Sequence, residues 1–145
     1  MHKIPFRAVA VCLSCFIALA AFASIASADL PEQQVQIYDV AQKQVVKKLD
    51  NTEAIQKEAL GWLTSIQGVA PQMQLDPKCG FVYRVPFKSP VPVTFSSISG
   101  TVTEVFLFHC ESRKPMLLIF VDRKPHLLQF QRDVAPFLKL VGSFR

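Results

Sequence analysis

The sequence lacks every short motif that would identify an enzyme or a nucleotide-binding protein. It contains no Gly-x-Ser-x-Gly nucleophile motif, and its three histidines have no recognisable catalytic partners. Glu104 and Glu111 are seven positions apart, which places them on opposite faces of a regular strand and not in a carboxylate pair. We therefore predict no enzymatic activity and no cofactor.

Ligands for a metal ion are also scarce. Zinc would accept atoms of four side chains, those of Cys79, His109, Cys110 and His126. His109 and Cys110 are adjacent, however, and adjacent residues of a strand point to opposite sides, so these two side chains do not reach one ion together. The sequence therefore predicts no metal site.

Long apolar runs are limited to one, at residues 8–23. Basic residues precede this run, and small residues follow it at the two positions that a signal peptidase reads, which is the layout of a secretory signal peptide. The alternative is a retained membrane anchor, although the run does not clearly reach the roughly 18 residues of a spanning helix. We predict that residues 1–28 are a signal peptide and that residues 29–145 are a single small domain. Because no second apolar run follows, we expect the processed chain to be free of the membrane, and secreted or periplasmic.

Neither sign of charge is in large excess. The formal net charge of +5 falls to +3 in the predicted processed chain, because residues 1–28 hold two of the 16 basic residues and none of the 11 acidic ones. Nucleic-acid binding normally needs a strongly basic, clustered face, so we expect no nucleic-acid partner. The remaining chain, about 117 residues long, is enough for one hydrophobic core and too short for two domains.

Cysteine is scarce too, since only Cys79 and Cys110 of the four cysteines would remain after cleavage. In an oxidising compartment we expect them to form a disulfide bond, which would stabilise the fold by about 3 to 4 kcal/mol for a loop of about thirty residues. The bond requires Cα atoms within about 7 Å. In a simple up-and-down sheet these cysteines fall at opposite ends. Either residues 79–98 do not form two plain strands, or the loop before Phe81 folds back across the sheet.

What the sequence does contain is a series of apolar runs typical of antiparallel strands. Three of them lie within residues 101–131, separated by two near-copies of one charged turn, Arg113-Lys114-Pro115 and Arg123-Lys124-Pro125. We predict a β-meander here. Consecutive turns of a meander fall at opposite ends of the sheet, so we expect the basic side chains of the two turns to be apart and not in one binding patch.

Two shorter strands are predicted before the meander. Residues 81–87 alternate apolar side chains, and Pro86 marks this segment as an edge strand or as one that ends early. Residues 88–92 are proline-rich and predict a stiff turn. Residues 93–98 then form a short strand, with a tight turn at Ser99-Gly100 leading into the meander.

Apolar residues recur at helical spacing in two segments before the strands and in one after them. The first segment is residues 29–50, and the second is a stripe at residues 55–66 that ends at Gly68, a natural C-cap. Residues 50–52 separate the two and supply cap residues, so we expect two helices, or one helix with a sharp kink there. A short C-terminal helix is predicted at residues 134–141. The predicted fold class is α+β, with N-terminal helices packed on an antiparallel β-meander of four to five strands and a short C-terminal helix.

The middle strand of the meander is apolar on both sides. One face holds Met116, Leu118 and Phe120, and the other holds Leu117, Ile119 and Val121. Such a strand is usually covered on both faces by helices, a second layer or a partner chain. If the helices leave one face uncovered, these six residues predict a protein interface there.

These patterns favour a small exported binding or inhibitor-type domain without catalysis of its own. It would act through protein–protein contacts, either with another protein or by self-association. The alternative is a protein whose curved sheet encloses a pocket for a small ligand, with or without catalysis. An exposed apolar patch would support the first hypothesis, and a deep polar-lined cavity would support the second.

Overall fold

The computed structural model describes residues 33–71 and 80–142. These residues form an α+β fold with two helices and a seven-stranded antiparallel sheet. In chain order the elements are β1 (Val35–Asp39), β2 (Gln44–Leu49), α1 (Glu53–Thr64), β3 (Ile66–Val69), β4 (Phe81–Phe95), β5 (Ile98–Cys110), β6 (Arg113–Val121), β7 (Lys124–Phe130) and α2 (Ala135–Val141). The strand order across the sheet is β2-β1-β4-β5-β6-β7-β3. The predicted signal peptide and Cys79 lie outside the described residues.

The predicted β-meander is present, because β4, β5, β6 and β7 are consecutive neighbours in the sheet. The last three of these strands correspond to the three apolar runs. In the turn between β6 and β7, Asp122 and Arg123 both have positive φ angles. Arg113 begins β6 and Arg123 lies two residues beyond its end, so the basic side chains of the two turns lie at opposite ends of this strand.

The predicted helix at residues 29–50 is wrong for the described part of that segment, which forms the β1–β2 hairpin. Val35 and Ile37 alternate with more exposed neighbours and are fully buried, as expected for a strand with one face in the core. The Asp39 carboxylate then accepts hydrogen bonds from the backbone N–H groups of residues 41 and 42, at 2.8 and 3.0 Å. This Asx turn reverses the chain, so the apolar residues that suggested one helix fall on two strands instead.

The sheet has seven strands in the described residues, and the predicted four to five is therefore wrong. β4 is one long strand, so residues 88–92 continue it and do not form a turn. The hairpin turn lies at Ser96 and Ser97, not at Ser99-Gly100. β1 pairs with β4 only as far as Arg84, so the prolines of residues 88–92 lie in a part of β4 with a free edge, where a missing N–H is tolerated. The strands that were not predicted are β1, β2 and β3.

Two of the predicted helices are present. α1 has the predicted apolar stripe, and its N-cap is Thr52, whose hydroxyl accepts a hydrogen bond from the first turn. The helix ends earlier than predicted, because Ile66 begins β3 and Gly68 lies within that strand. α2 follows Asp133, whose carboxylate accepts a hydrogen bond from the N–H of Ala135. Within residues 33–71 and 80–142, no helix is long and apolar enough to cross a membrane.

Both helices pack on one side of the sheet, which we call the inner face. Trp62 of α1 is fully buried there, with its ring centroid 4.8 Å from that of Phe137 in α2 and 6.2 Å from that of Phe130 in β7. Phe137 also meets Tyr83 of β4, at 5.3 Å between ring centroids. The fully buried strand residues of this face include Val35, Ile37, Val85, Val105, Leu107, Leu117, Ile119 and Leu128. The opposite side of the sheet, which we call the outer face, has neither of the described helices on it.

Hydrogen bonds also hold α1 against β4. Gln56 Nε2 donates to the carbonyl oxygen of Pro86 at 2.9 Å, and Gln56 Oε1 accepts from the backbone N–H of Lys88 at 3.2 Å. Asn51 Nδ2 donates to the same carbonyl at 2.6 Å, and its Oδ1 accepts from Gln56 at 2.6 Å. These backbone groups of β4 lie beyond the last residue that β1 reaches. Two amide side chains therefore satisfy the edge of β4 where its neighbouring strand ends.

Candidate binding face

The outer face of the sheet carries a continuous set of apolar side chains across four strands. Successive residues of a strand point to opposite sides, so the neighbours of the core residues all point outwards. This set, which we call the outer apolar cluster, consists of Val82, Phe106, Phe108, Met116, Leu118, Phe120 and Leu127. Six of its members are partly exposed, and Phe120 is 41% exposed.

Strand register brings the members of the cluster into contact. Phe106 of β5 lies opposite Leu118 of β6, which in turn lies opposite Leu127 of β7. Phe106 and Phe120 form an edge-to-face aromatic pair, with ring centroids 5.9 Å apart. The cluster is therefore one contiguous surface and not a scatter of single apolar residues.

The β1–β2 hairpin extends this apolar surface to one side. Tyr38 and Val45 pair across the hairpin and are both exposed. Together with Val82 and Phe106 they line a shallow depression of about 220 Å³. A glutamine and an arginine complete its lining. The depression gives the outer face a concave margin.

One ion pair lies within the outer face. Arg84 Nε is 2.6 Å from Glu104 Oε2, and each side chain is about one-quarter exposed. Arg84 lies opposite Phe106 in the β4–β5 register, so the pair borders the outer apolar cluster. The sequence did not indicate this pair, because its members are on different strands and only the register brings them together.

The six predicted interface residues of β6 divide between the two faces. Leu117, Ile119 and Val121 point inwards and are 0%, 0% and 4% exposed, so they belong to the core. Met116, Leu118 and Phe120 point outwards and form the centre of the outer apolar cluster. Sequence reasoning missed the contribution of β5. Its signal was present, since residues 105–108 are apolar at every position and so must present apolar side chains to both faces.

A second concave surface lies on the other side of the sheet, between α1 and the far half of β4. This groove has a volume of about 320 Å³ and is lined mainly by apolar side chains, among them those of Leu60, Leu63, Ile66, Val91 and Phe95. Its polar side chains are those of two threonines. None of the residues that line this groove therefore has a titratable side chain for acid–base catalysis.

Cys110 ends β5 beside the beginning of β4. Cys79 lies outside the described residues, so the disulfide bond between these two cysteines stays a prediction. Gly80, which follows Cys79 in the sequence, has a φ of +92°. A Cβ atom at this position would be 2.1 Å from the carbonyl oxygen of His109 and 3.2 Å from the Cα of Cys110. The described residues 80–98 do not form two plain strands before β5, because β4 is one long strand, and the open end of the β4–β5 hairpin holds Gly80 and Cys110.

The remaining candidate ligands are dispersed. Within residues 33–71 and 80–142, no group of three or more His, Cys, Asp or Glu side chains is placed to hold a metal ion. His109 lies on β5 and His126 on β7, with β6 between them. Burial lowers the pKa of His109, and the negative charge of Glu111 partly offsets this shift. A partly buried histidine at a strand end is consistent with a structural residue.

The chain matches no protein-family model, and no curated protein or solved structure matches it either. Its function has to be inferred from its own residues and their geometry. The feature that departs most from an ordinary antiparallel sheet is the outer face, which is apolar where such sheets are commonly polar.

Proposed function

We propose that this protein is a small exported binding domain, of a type that includes inhibitor domains, and that it acts through protein–protein contacts without catalysis of its own. The observation that carries the proposal is the outer apolar cluster. An antiparallel sheet with helices on one face usually presents polar side chains on the other. Contiguous apolar patches on the surface of a protein usually mark an interaction site.

The composition of the cluster suits an interface. It contains three phenylalanines and a methionine, which are residue types enriched in the buried centres of protein interfaces. Phe120 is the most exposed of them and can insert its ring into a partner. The strands beneath are held by hydrogen-bonded neighbours on both sides, so the surface is rigid and little conformational entropy is lost on binding.

Export rests on the sequence alone, through the predicted signal peptide at residues 1–28 and the predicted bond between Cys79 and Cys110. Both features agree with a protein that works outside the cytoplasm. The intact mass of the protein recovered from the envelope or the medium tests this part of the proposal, because cleavage after Ala28 gives a defined shorter chain.

Site-specific photo-cross-linking tests the binding part. A photoreactive amino acid replaces Phe120 on the outer face or, as a control, Leu140, which is 48% exposed on α2 on the opposite side of the molecule. We expect irradiation of producing cells to give a defined covalent adduct from position 120 and none from position 140. If neither position gives an adduct, or if both give the same one, the outer face is not a specific binding surface.

The groove between α1 and β4 supports a second candidate function, the binding of a small apolar ligand. Most of its lining residues have apolar side chains, and its 320 Å³ volume lies at the lower end of the range for small-molecule sites. Leu60 is 39% exposed at the mouth of the groove, so Leu60→Lys would place a charge there without disturbing the core. Loss of binding of an apolar fluorescent probe in Leu60→Lys, with the cross-link at position 120 unchanged, would favour this candidate.

A further inference from the structure

We infer that the partner of the outer face is a second copy of this chain, packed face to face about a twofold axis. This inference rests on the proposed function, since it names the partner of the same surface. Three properties of the outer face carry it: its internal neutralisation of charge, its size, and the position of its central residues.

The charges near the cluster suit a copy of the same surface. Arg84 and Glu104 already neutralise each other, so this part of the face does not attract a partner of one sign. A twofold axis that lies between the two sheets and passes between these two side chains brings the guanidinium of one copy towards the carboxylate of the other. Arg84 shares a cross-strand row with Leu118 through Phe106, so such an axis also passes near Leu118. A surface with one adjacent cation and anion is therefore complementary to itself, as an isologous interface requires.

The size of the face matches a modest dimer. The face from β1 to β7 is five strands wide, at about 4.8 Å for each strand, and the cluster spans about three rows of outward side chains, which gives roughly 24 Å by 20 Å, or about 500 Å² for each copy. Two copies would bury roughly 1,000 Å², which is at the lower limit for a specific interface. We therefore expect a dimer that dissociates in the micromolar range.

The middle of the face provides the contact at the axis. Leu118 lies between Phe106 and Leu127 in the strand register, so it is at the centre of the cluster. When two sheets pack face to face, side chains of the two surfaces interdigitate across about 10 Å. With the axis near the centre, Leu118 of each copy lies close to Leu118 of the other.

The test compares three variants of the protein purified after export. Leu118→Lys and Leu118→Glu each place a charge at the proposed axis, and Leu140→Lys introduces the same charge on the exposed side of α2. Sedimentation equilibrium from about 1 µM to about 200 µM brackets a micromolar dissociation constant. We expect the wild type and Leu140→Lys to associate equally, and each Leu118 variant to associate at least ~10-fold more weakly, because like charges meet across the axis.

An equimolar mixture of Leu118→Lys and Leu118→Glu provides the sharper measurement. In a twofold dimer the opposite charges meet, so we expect the mixture to recover association that neither variant shows alone. A variant that had only unfolded would not be rescued in this way. A monomeric wild type over the whole range, unchanged association of Leu118→Lys, or a mixture that does not recover would each overturn the inference. A monomeric wild type whose position 120 cross-links to a different protein would leave the proposed function in place and exclude only the second copy as partner.

Discussion

The inner and outer faces of the sheet are built from the same strands and from similar apolar residues, but their surroundings differ. On β6, Leu117 and Ile119 are fully buried beneath the helices, whereas the next residue, Phe120, is 41% exposed. On β4, Tyr83 packs against Phe137 of α2, while the adjacent Val82 lies on the outer face. Neighbouring residues of one strand thus have different roles, one in the core and the other on an open surface.

This difference shows that apolar composition alone does not identify the core of a sheet. An apolar side chain of the sheet stabilises the folded state by burial only where another element removes that side chain from water. The inner face gains this contribution within one chain, through α1 and α2. None of the described elements covers the outer face in this way, and that is the physical basis for the interaction surface proposed there.

The largest expected contrast between the faces comes from one substitution made at two adjacent positions. Leu117→Ala removes a fully buried side chain beneath the helices and should lower the free energy of unfolding by about 2 to 5 kcal/mol. Leu118→Ala truncates a partly exposed side chain and should cost about 1 kcal/mol or less. Urea denaturation, at protein concentrations too low for self-association to add stability, measures both changes.

Equal losses at the two positions would contradict this contrast, since they would mean that the outer face is covered within the monomer. Far-ultraviolet circular dichroism before denaturation shows whether each variant retains the fold. The two positions have the same side chain on the same strand, so differences in intrinsic strand propensity do not enter the comparison.

A second contrast concerns how α1 is held over the inner face. Gln56→Glu replaces the amide nitrogen that donates to the Pro86 carbonyl with an oxygen that cannot donate when ionised. Because this site is buried, we expect a loss of about 1 to 3 kcal/mol in the free energy of unfolding at neutral pH. Part of that loss should be recovered as acid protonates the new carboxylate, which can then donate one hydrogen bond.

Gln67→Glu is the matched control for this change. Gln67 is exposed on β3, so the same substitution there does not affect a buried hydrogen-bond network. We expect it to change the free energy of unfolding by less than about 0.5 kcal/mol. If Gln56→Glu were equally mild, packing alone would hold α1 on the sheet, and the hydrogen bonds to β4 would be dispensable.

The smallest expected effect appears only in alkali and uses the two tyrosines, one on each face. Burial against the inner face raises the pKa of Tyr83 from 10.0 to about 12. The unfolded chain therefore releases this proton at lower pH than the folded chain does, so the folded state loses stability as the pH rises from about 10 towards 12. Titration followed by tyrosinate absorbance should show a late step near pH 12 that Tyr83→Phe abolishes and Tyr38→Phe leaves in place. Loss of the late step in Tyr38→Phe would mean that the two faces had been assigned the wrong way round.

The elements with strong local signals were predictable from the sequence. The charged turns around residues 113 and 123 bound β6 on both sides, and a two-sided apolar run between such turns has few alternatives to a central strand. The stripe of α1 and its polar cap residues likewise indicated a helix. The alternation along β6 separated its apolar residues into two sets, but it did not show which set points outwards, because alternation gives two faces without saying which is covered.

The β1–β2 hairpin was not predictable in the same way. Val35, Tyr38, Val45 and Leu49 satisfy a helical period, while Val35 and Ile37 also satisfy the period of a strand. Pairing with β4 removes this ambiguity, because β1 contributes hydrogen bonds to a strand 46 positions further along the chain, as in the pair of Ile37 with Tyr83. The outcome thus depends on a distant segment, and the local pattern contains no information about it.

The sequence by itself determined that β6 would be apolar on both faces and that helices would be available to cover at least one of them. The tertiary structure decided which face the two described helices cover. β2 and β3 are the two edges of the sheet, and α1 joins them directly. A helix of 12 residues is about 18 Å long, and the edges of a seven-stranded sheet are about 29 Å apart, so α1 with its short links spans the whole width of one face. α2 packs beside α1 through the contact of Phe137 with Trp62, and both helices are therefore committed to the same face of the sheet.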